Sequence, residues 1–584
     1  MAAGNRSVLV VVDSRRRAEA EQAAHVVVAA LEHFGVAHET VDGGDYMPKA
    51  RGHIAPRAAY VVSHDGAGAC LADDVAEEIA QGVRDGAGLL VFDREIDRWP
   101  SALRALLPGA EQRVQADALR IAASGDFITF GHEPDEEVAL ERTIDVCCIT
   151  TGESFEALVT TADGQCAIAR GSAGDGRIVV FGTGNDLYAS DVLGHAHMLD
   201  GLMWRGLVWV ARKPFPMRCI PPFVTARMDD CNGTYSAFGY VDALNHHGIR
   251  PNLGLFLDEL GPTDWRNAKR LFDAGGAGFS MHAFRDDGYK ARPEYKPYAV
   301  LDDKPDLSDG GRQTRFEGLS MDHQTGRDLD DATVQRNFER MDEALARAGV
   351  RHSRVINAHF GEIAWRAVPR FLQRGIDLPC NNSVVGQLYG GQPLWRPRPY
   401  GLRGAAGRHG IVIDRCPQHP GLTFVHVSPS HVGKTHMTGD ILSGHVPFLT
   451  ESETPKLREA ADRGTANVKL GLDALAFGEI MTHEQRINAI SPEDWQTVVD
   501  SIVRGLDGWD VEFAGREQVS IVCKRLLDSR LVHADETAGR LHCELCGRTD
   551  GPSPLTIWEN DGDACVRRVV EIDAVEGFTA VDVG

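Results

Sequence analysis

What this chain most plainly lacks is a long apolar run: no window of its 584 residues approaches the ~20 consecutive apolar residues of a membrane-crossing helix. Its opening residues run straight into Val8-Leu-Val-Val-Val-Asp13, too short and too early for a secretory signal core. The expectation is a cytoplasmic protein that docks on no membrane. Basic residues are the second deficit. Lys and Arg number 61 against 84 Asp and Glu, a formal net charge of −23 that repels phosphate backbones and anionic lipid. Nucleic acid is therefore not an expected partner. Cysteine is thin as well, 12 residues without dense regular spacing, which suits reduced thiols better than a disulfide framework.

What is present is core material. Hydrophobic residues make up 43% and charged residues 25%, the balance of an ordinary globular protein, and the chain is too long for one core. The fold class expected is α/β. From residue 1 to 213, strand-like runs (Ser7 to Asp13, Ala59 to Ser63, Gly88 to Asp93, Arg177 to Thr183) alternate with helical ones (Glu19 to Phe34, Ala72 to Arg84, Met198 to Arg212). That alternation implies βαβ units and a flavodoxin-like parallel sheet covered on both faces. The segment resembles the glutamine-amidotransferase-like domains often fused to carbohydrate-active enzymes. It has no nucleophile elbow: Val91-Phe-Asp-Arg94 ends its strand without a cysteine, and Gly68-Ala-Cys70 lacks the trailing glycine. A non-catalytic role follows, as scaffold, glycan contact or the surface of a homo-oligomer.

Pro214, Pro216, Pro221 and Pro222 mark a linker. Residues 214–531 again alternate strand and helix, which argues for a (β/α) barrel whose chemistry sits at the carboxyl ends of its strands. A charged insertion at 285–330 follows one of those strands and reads as an active-site lid. Residues 532–584 turn to Gly, Asp and short strands, a small β-rich appendage. Its Cys543 and Cys546 form a lone Cys-x-x-Cys, short of the four ligands of a structural zinc site, and read as ordinary cysteines.

The chemistry gathers at four strand ends. Phe223-Val-Thr-Ala-Arg-Met-Asp-Asp-Cys-Asn-Gly233 runs from an apolar, β-branched stretch into two adjacent carboxylates and a turn. Consecutive strand residues point to opposite faces, so Asp229 and Asp230 can divide their work, one holding a cation and the other taking a proton. Asp, Asn and Gly are also ordinary turn residues, and alone the pair reads more readily as a loop opening than as a site. The context is Phe279-Ser-Met-His282, Val355-Ile-Asn-Ala-His-Phe-Gly361 with His359, and Ile480-Met-Thr-His-Glu484 with His483. Each histidine follows a short apolar run and would emerge on the same face of the barrel.

Over residues 222–530 this pattern resembles the polysaccharide deacetylase (NodB-homology, carbohydrate esterase) superfamily, above all the branch that includes heparan sulfate N-deacetylase domains and fungal galactosaminogalactan deacetylases. The resemblance implies a zinc-type divalent cation and hydrolysis of an N-acetyl group on an amino sugar, which would be the substrate partner. It implies Asp229 as general base, Asp230 and His282 as metal ligands, and His483 as general acid. Backbone N–H groups after His359 would help hold the oxyanion. Two departures stand out. The residue four after His282 is Asp286, so the family's His-x-x-x-His is broken, and His323 in Ser320-Met-Asp-His-Gln-Thr-Gly326 is preferred to Asp286 as the third ligand. Asn357-Ala-His-Phe-Gly361 replaces the family's Arg-Pro-Pro-Tyr-Gly stretch. His426, His431, His436 and His445 read as cleft or loop residues alike, and His246-His247 as a helix end.

Overall fold

The computed structural model describes residues 4–43, 54, 56–123, 125–152, 154–233, 236–285, 316–322, 326–380, 385, 411–427, 439–446, 454–561 and 564–584. The chain is mixed α/β, with several sheets that contain parallel strands. Among the described residues no helix is long and apolar enough to cross a membrane.

The first part of the chain builds a nine-stranded sheet. Val8–Val12 pairs in parallel with His38–Asp42 and Ala59–Val62, and Gly88–Val91 pairs in parallel with Ala59–Val62 and Gly176–Phe181. In chain order these five strands lie 2-1-3-4-5 across the sheet, a doubly wound arrangement. Except in the edge strand His38–Asp42, their side chains are mostly buried on both faces, which is why Val8-Leu-Val-Val-Val reads as a continuous apolar run rather than an alternating one. The helices Asp73–Arg84 and Asp200–Val210 lie close to where the sequence expects them. The sheet is not parallel throughout: Cys166–Ala173, Phe155–Thr161, Ala110–Ile121 and Glu137–Ile149 extend it in antiparallel fashion. Their partly polar, half-exposed strands gave no buried-strand signal.

The second sheet is organised around Phe223–Cys231. It pairs in parallel with Asn252–Phe256 on one side and Gly478–His483 on the other, and Gly278–Arg285 continues beyond Asn252–Phe256. The helices Pro262–Asp273, Asp331–Ala348, Leu457–Asp473 and Pro492–Arg504 accompany these strands. The expected closed barrel is not formed among the described residues. Val355–Ile356 pairs only with Leu378–Pro379, and Ile411–Cys416 pairs antiparallel with His419–Val427. Between backbones, the first pair reaches the sheet through Ser353 N to Phe279 O at 2.7 Å, and the second reaches the first through Thr423 N to Asp377 O at 2.9 Å.

Buried ions stitch the gap. Arg516, fully buried, places Nε 2.7 Å from Glu479 Oε1, donates from Nη2 to Val425 O at 2.5 Å, and lies 4.8 Å over the Phe477 ring. Removing one member of such a pair leaves an uncompensated buried charge. Arg516→Leu is expected to destabilise the fold by about 3–5 kcal/mol, read as a shift in the urea midpoint at unchanged slope. Unchanged stability would mean that the pair is dispensable.

The C-terminal strands form two antiparallel sheets. Ser529–Thr537, Arg540–Arg548 and Glu576–Val583 make one, which Gly4–Asn5 joins at its edge. Ser553–Asp561 and Ala564–Ile572 make the other, joined by the linker strand Phe215–Met217. Along Arg540–Arg548, Cys543 is buried and Cys546 half-buried, three residues apart and so on opposite faces, which does not bring two thiols to one ion.

Candidate active site

Asp229 and Asp230 close the central strand, and their divergence comes from more than the pleat. Asp230 sits in the left-handed region at φ 55°, and the register with Asn252–Phe256 slips between Met228 and Cys231. For a residue with a Cβ such a conformation costs on the order of 1–3 kcal/mol, and it persists where the surroundings fix it. Asp229 stays in register opposite His483 on the neighbouring strand.

The Asp230 carboxylate faces two imidazoles. His282 Nε2 lies 3.0 Å and His359 Nε2 3.7 Å from Asp230 Oδ1, and one ligand atom from each of the three residues lies within 4.8 Å of the others. The rings of His282 and His359 meet edge to face at 5.0 Å, and both lean on Phe256. His282 Nδ1 lies 2.6 Å from Asn357 O, a carbonyl that can only accept, so Nδ1 carries the proton. Unless a second proton or a cation stands between the two, Nε2 would turn a lone pair on a carboxylate oxygen 3.0 Å away. Gln485 Nε2 donates to Asp230 Oδ2 at 2.8 Å. Burial would push the Asp230 carboxyl up. The hydrogen bond with His282 and the charges of His483, His359 and His282 outweigh it and hold the carboxyl well below the usual range. Two imidazoles, one ionised carboxylate and a carbonyl orienting one ring fit a borderline divalent cation such as zinc.

Asp229 and His483 stand beside this cluster. Asp229, largely buried, receives Asn357 Nδ2 at 2.8 Å on Oδ1, with Arg227 Nε 3.4 Å from the same oxygen. Asn357 therefore orients both halves of the site, Asp229 through its side-chain amide and His282 through its backbone carbonyl. His483 donates from Nδ1 to Asp440 Oδ2 at 2.7 Å, and Asp440 is held by Thr482 Oγ1 at 2.7 Å and by Leu442 N at 2.9 Å. Burial opposes a charge on His483, but the bond to Asp440, with the carboxylates of Asp440, Asp230 and Asp229, raises its pKa to about 9. Nε2 carries the proton available for transfer.

Of the residues singled out in the sequence, the structure gathers Asp229, Asp230, His282, His359 and His483. His359 takes its place opposite Asp230 among the candidate ligands, whereas the sequence reading put it at the oxyanion. The cause is local: Phe360, at φ 50°, turns the backbone of the His359–Gly361 segment sharply. His323 and Asp286 both fall outside the described residues, as do His431 and His436. His426 Nδ1 lies 3.0 Å from Cys380 O, and His247 Nε2 lies 2.7 Å from Asp500 Oδ1, just past the short Val241–Asn245 helix. In the N-terminal sheet, the Cys70 thiol is pushed up to about 11 by burial.

Sequence reading missed Asn357, Arg227, Asp440, Gln485 and Glu484. Three of them carried a signal, since Asn357 stands two before His359 and Glu484-Gln485 directly follow His483. Glu484 is fully buried and accepts from Asn232 N at 2.5 Å and Gly233 N at 2.9 Å, pinning the turn that follows the aspartates. Burial raises its pKa from 4.5 to about 8, so at neutral pH it is protonated. A folded-state value raised above the unfolded one gives stability that is complete below about pH 4.5 and lost as pH rises through about 8. Glu484→Gln keeps the acceptor oxygen without the titration. Its unfolding midpoint is expected to gain on that of the parent between pH 5 and pH 9, as read by thermal melts; a constant difference would count against a protonated Glu484.

No family model matches the sequence, and the comparison with curated proteins finds no match. Solved structures give distant neighbours. A protein assigned as a polysaccharide deacetylase from Mycobacterium smegmatis aligns over 53% of this chain and 92% of its own, at 12% identity and a TM-score of 0.32. A cytoplasmic protein of Salmonella typhimurium aligns over 32% of this chain and 87% of its own, at 13% identity and TM-score 0.26. A β-galactosidase of Bacillus circulans sp. alkalophilus aligns over 35% and 31%, at 15% identity and TM-score 0.24. Similarity at this level leaves the functional argument with the geometry.

Proposed function

We propose that the chain is a divalent-metal-dependent hydrolase that removes an N-acetyl group from an amino sugar. The observation that carries this reading is the Asp230–His282–His359 cluster, flanked by a fixed carboxylate on one side and a carboxylate-backed histidine on the other. Asp230, His282 and His359 would hold the cation, zinc being the best match to the donor set, with His323 rather than Asp286 as a further donor. A cation there would acidify a water and polarise the acyl oxygen.

The protein's own groups divide the proton traffic. Asn357 and Arg227 fix Asp229 through Oδ1, which leaves Oδ2 to accept the proton of the attacking water. As the carbon–nitrogen bond breaks, His483 Nε2 gives its proton to the departing nitrogen, so that acetate and a free amine leave. Asp440 holds the imidazole by Nδ1 and stabilises its charged form, the same division of labour as any carboxylate-backed histidine. The nine-stranded N-terminal sheet is read as a flavodoxin-like scaffold, and the segment around 285–330 as a lid.

Acetate release from a panel of acetylated amino sugars and of acyl amides without a sugar, with zinc present, tests the reading. Release from the sugars supports it; release from the amides alone would reassign the substrate, and none from either would sink it. A second expectation concerns pH. Loss of activity as His483 deprotonates should give kcat/KM an alkaline limb near pH 9. Asp440→Asn removes the charge that raises the pKa most, so the limb should move acidward by more than a unit and the rate at pH 9 fall about fivefold or more. An unmoved limb would remove His483 from the role of acid.

A further inference from the structure

Away from this site, a cavity of about 460 Å³ opens between the Asp200–Val210 helix, the end of the Leu457–Asp473 helix and the C-terminal strands. That volume is in the range of small-molecule sites, roughly 300–1,000 Å³. Its walls are aromatic. Trp204 and Trp558 approach to 5.7 Å between ring centroids, Phe127 meets Trp558 at 5.8 Å, and Phe130 meets Trp509 at 5.1 Å.

Among these rings lies one guanidinium. Arg205 Cζ is 4.2 Å from the Trp204 centroid, 4.5 Å from that of Phe130 and 5.3 Å from that of Phe127. Among the described residues no carboxylate comes within ion-pair distance of it. Arg205 Nε and Trp558 Nε1 are both buried N–H donors without an acceptor, and Trp558 as a whole is 6% exposed. The other cation of the wall, Arg567, is engaged, its Nε 2.6 Å from Asp510 Oδ2 and its Nη2 3.0 Å from Asp510 O. Ring faces compensate part of a buried cation's lost hydration but satisfy no N–H. The buried Asp473 carboxylate offsets part of the guanidinium's charge from beyond ion-pair distance but accepts from neither N–H, so a neutral apolar occupant would leave both donors unanswered, and a bare inorganic anion would leave the rings facing water.

We propose that this cavity binds a small amphiphilic anion, a flat apolar body bearing a carboxylate, sulfonate or phosphate whose oxygens accept from Arg205 and Trp558. The site is independent of the hydrolase reading. It is nonetheless adjacent in the chain: Leu472, Leu475 and Ala476 form part of its wall, and the strand that carries Thr482 and His483 begins at Gly478.

The test uses the full chain and two fluorescent probes, 8-anilinonaphthalene-1-sulfonate and the uncharged N-phenyl-1-naphthylamine, with energy transfer from tryptophan as the readout. One saturable sulfonate site is expected, tighter than that for the neutral probe and not displaced by equimolar inorganic phosphate. Arg205→Met should weaken the sulfonate about tenfold or more, as loss of a charge-assisted hydrogen bond does, and leave the neutral probe nearly unchanged. Val566→Trp, which adds bulk from the exposed rim, should weaken both and serves if the arginine variant fails to fold. Equal affinities for the two probes, displacement by phosphate, or sulfonate binding untouched by both replacements would overturn the proposal.

Discussion

Asp229→Asn is expected to purify with its full complement of cation and to release acetate about 10²–10⁴-fold more slowly than the parent, the range that a positioned general base supplies. The reasoning rests on the separation of duties at the strand end. Asp229 Oδ1 is engaged by Asn357 and Arg227, whereas the imidazoles face Asp230. An amide at 229 keeps an oxygen for Asn357 Nδ2 and the volume of the side chain, but its nitrogen cannot accept a proton. Elemental analysis and turnover on one preparation decide the matter. Full turnover would end the assignment of Asp229 as base; loss of cation together with turnover would make it a ligand.

Asp230→Gly should do the reverse, stripping the cation and with it about 10³-fold or more of the rate, the several kcal/mol that a Lewis acid contributes. Glycine is the informative replacement because Asp230 sits at φ 55°, where a residue without a Cβ is at ease. The backbone strain is relieved while the ligand is removed, so the metal-free protein should melt no lower than the metal-free parent. Retained cation in this variant, with His282 and His359 intact, would show that the carboxylate is not a ligand. A lower melting point in the absence of metal would show instead that Asp230 holds the turn through Gln485.

Those two aspartates were legible in the sequence because their strand is buried on both faces and stops abruptly, and the same signal located His282 and His483. Asp440 was invisible by contrast. It makes one isolated bridge to Met481 and belongs to no periodic element, so nothing local marks it as the partner of His483. His359 was found but given another role, since residue type cannot reveal that Phe360 turns the backbone and brings the imidazole to face Asp230. The parallel strands of the first sheet were plain from their apolar runs. The antiparallel extension was not, because Glu137–Ile149 is mostly exposed along its first half, where only Val138 and Leu140 alternate toward the core. Barrel closure failed as an expectation because apolar runs report burial and say nothing about which edges pair, and the 411–427 strands pair with each other.

The pairing of Gly4–Asn5 with Asp535 and Glu536, locked by the buried Arg6–Glu536 ion pair at 2.9 Å, bears on how the molecule is made. The two halves of that contact are 530 residues apart. At about 5–20 residues synthesised per second, Gly4–Asn5 waits tens of seconds to minutes for its partner. During that interval Arg6 has no carboxylate and the neighbouring Val8–Val12 strand has an untethered leading edge. Gly4–Asn5 and Arg6 thus act as a closing clasp, engaged only after the strand Ser529–Thr537 has been synthesised.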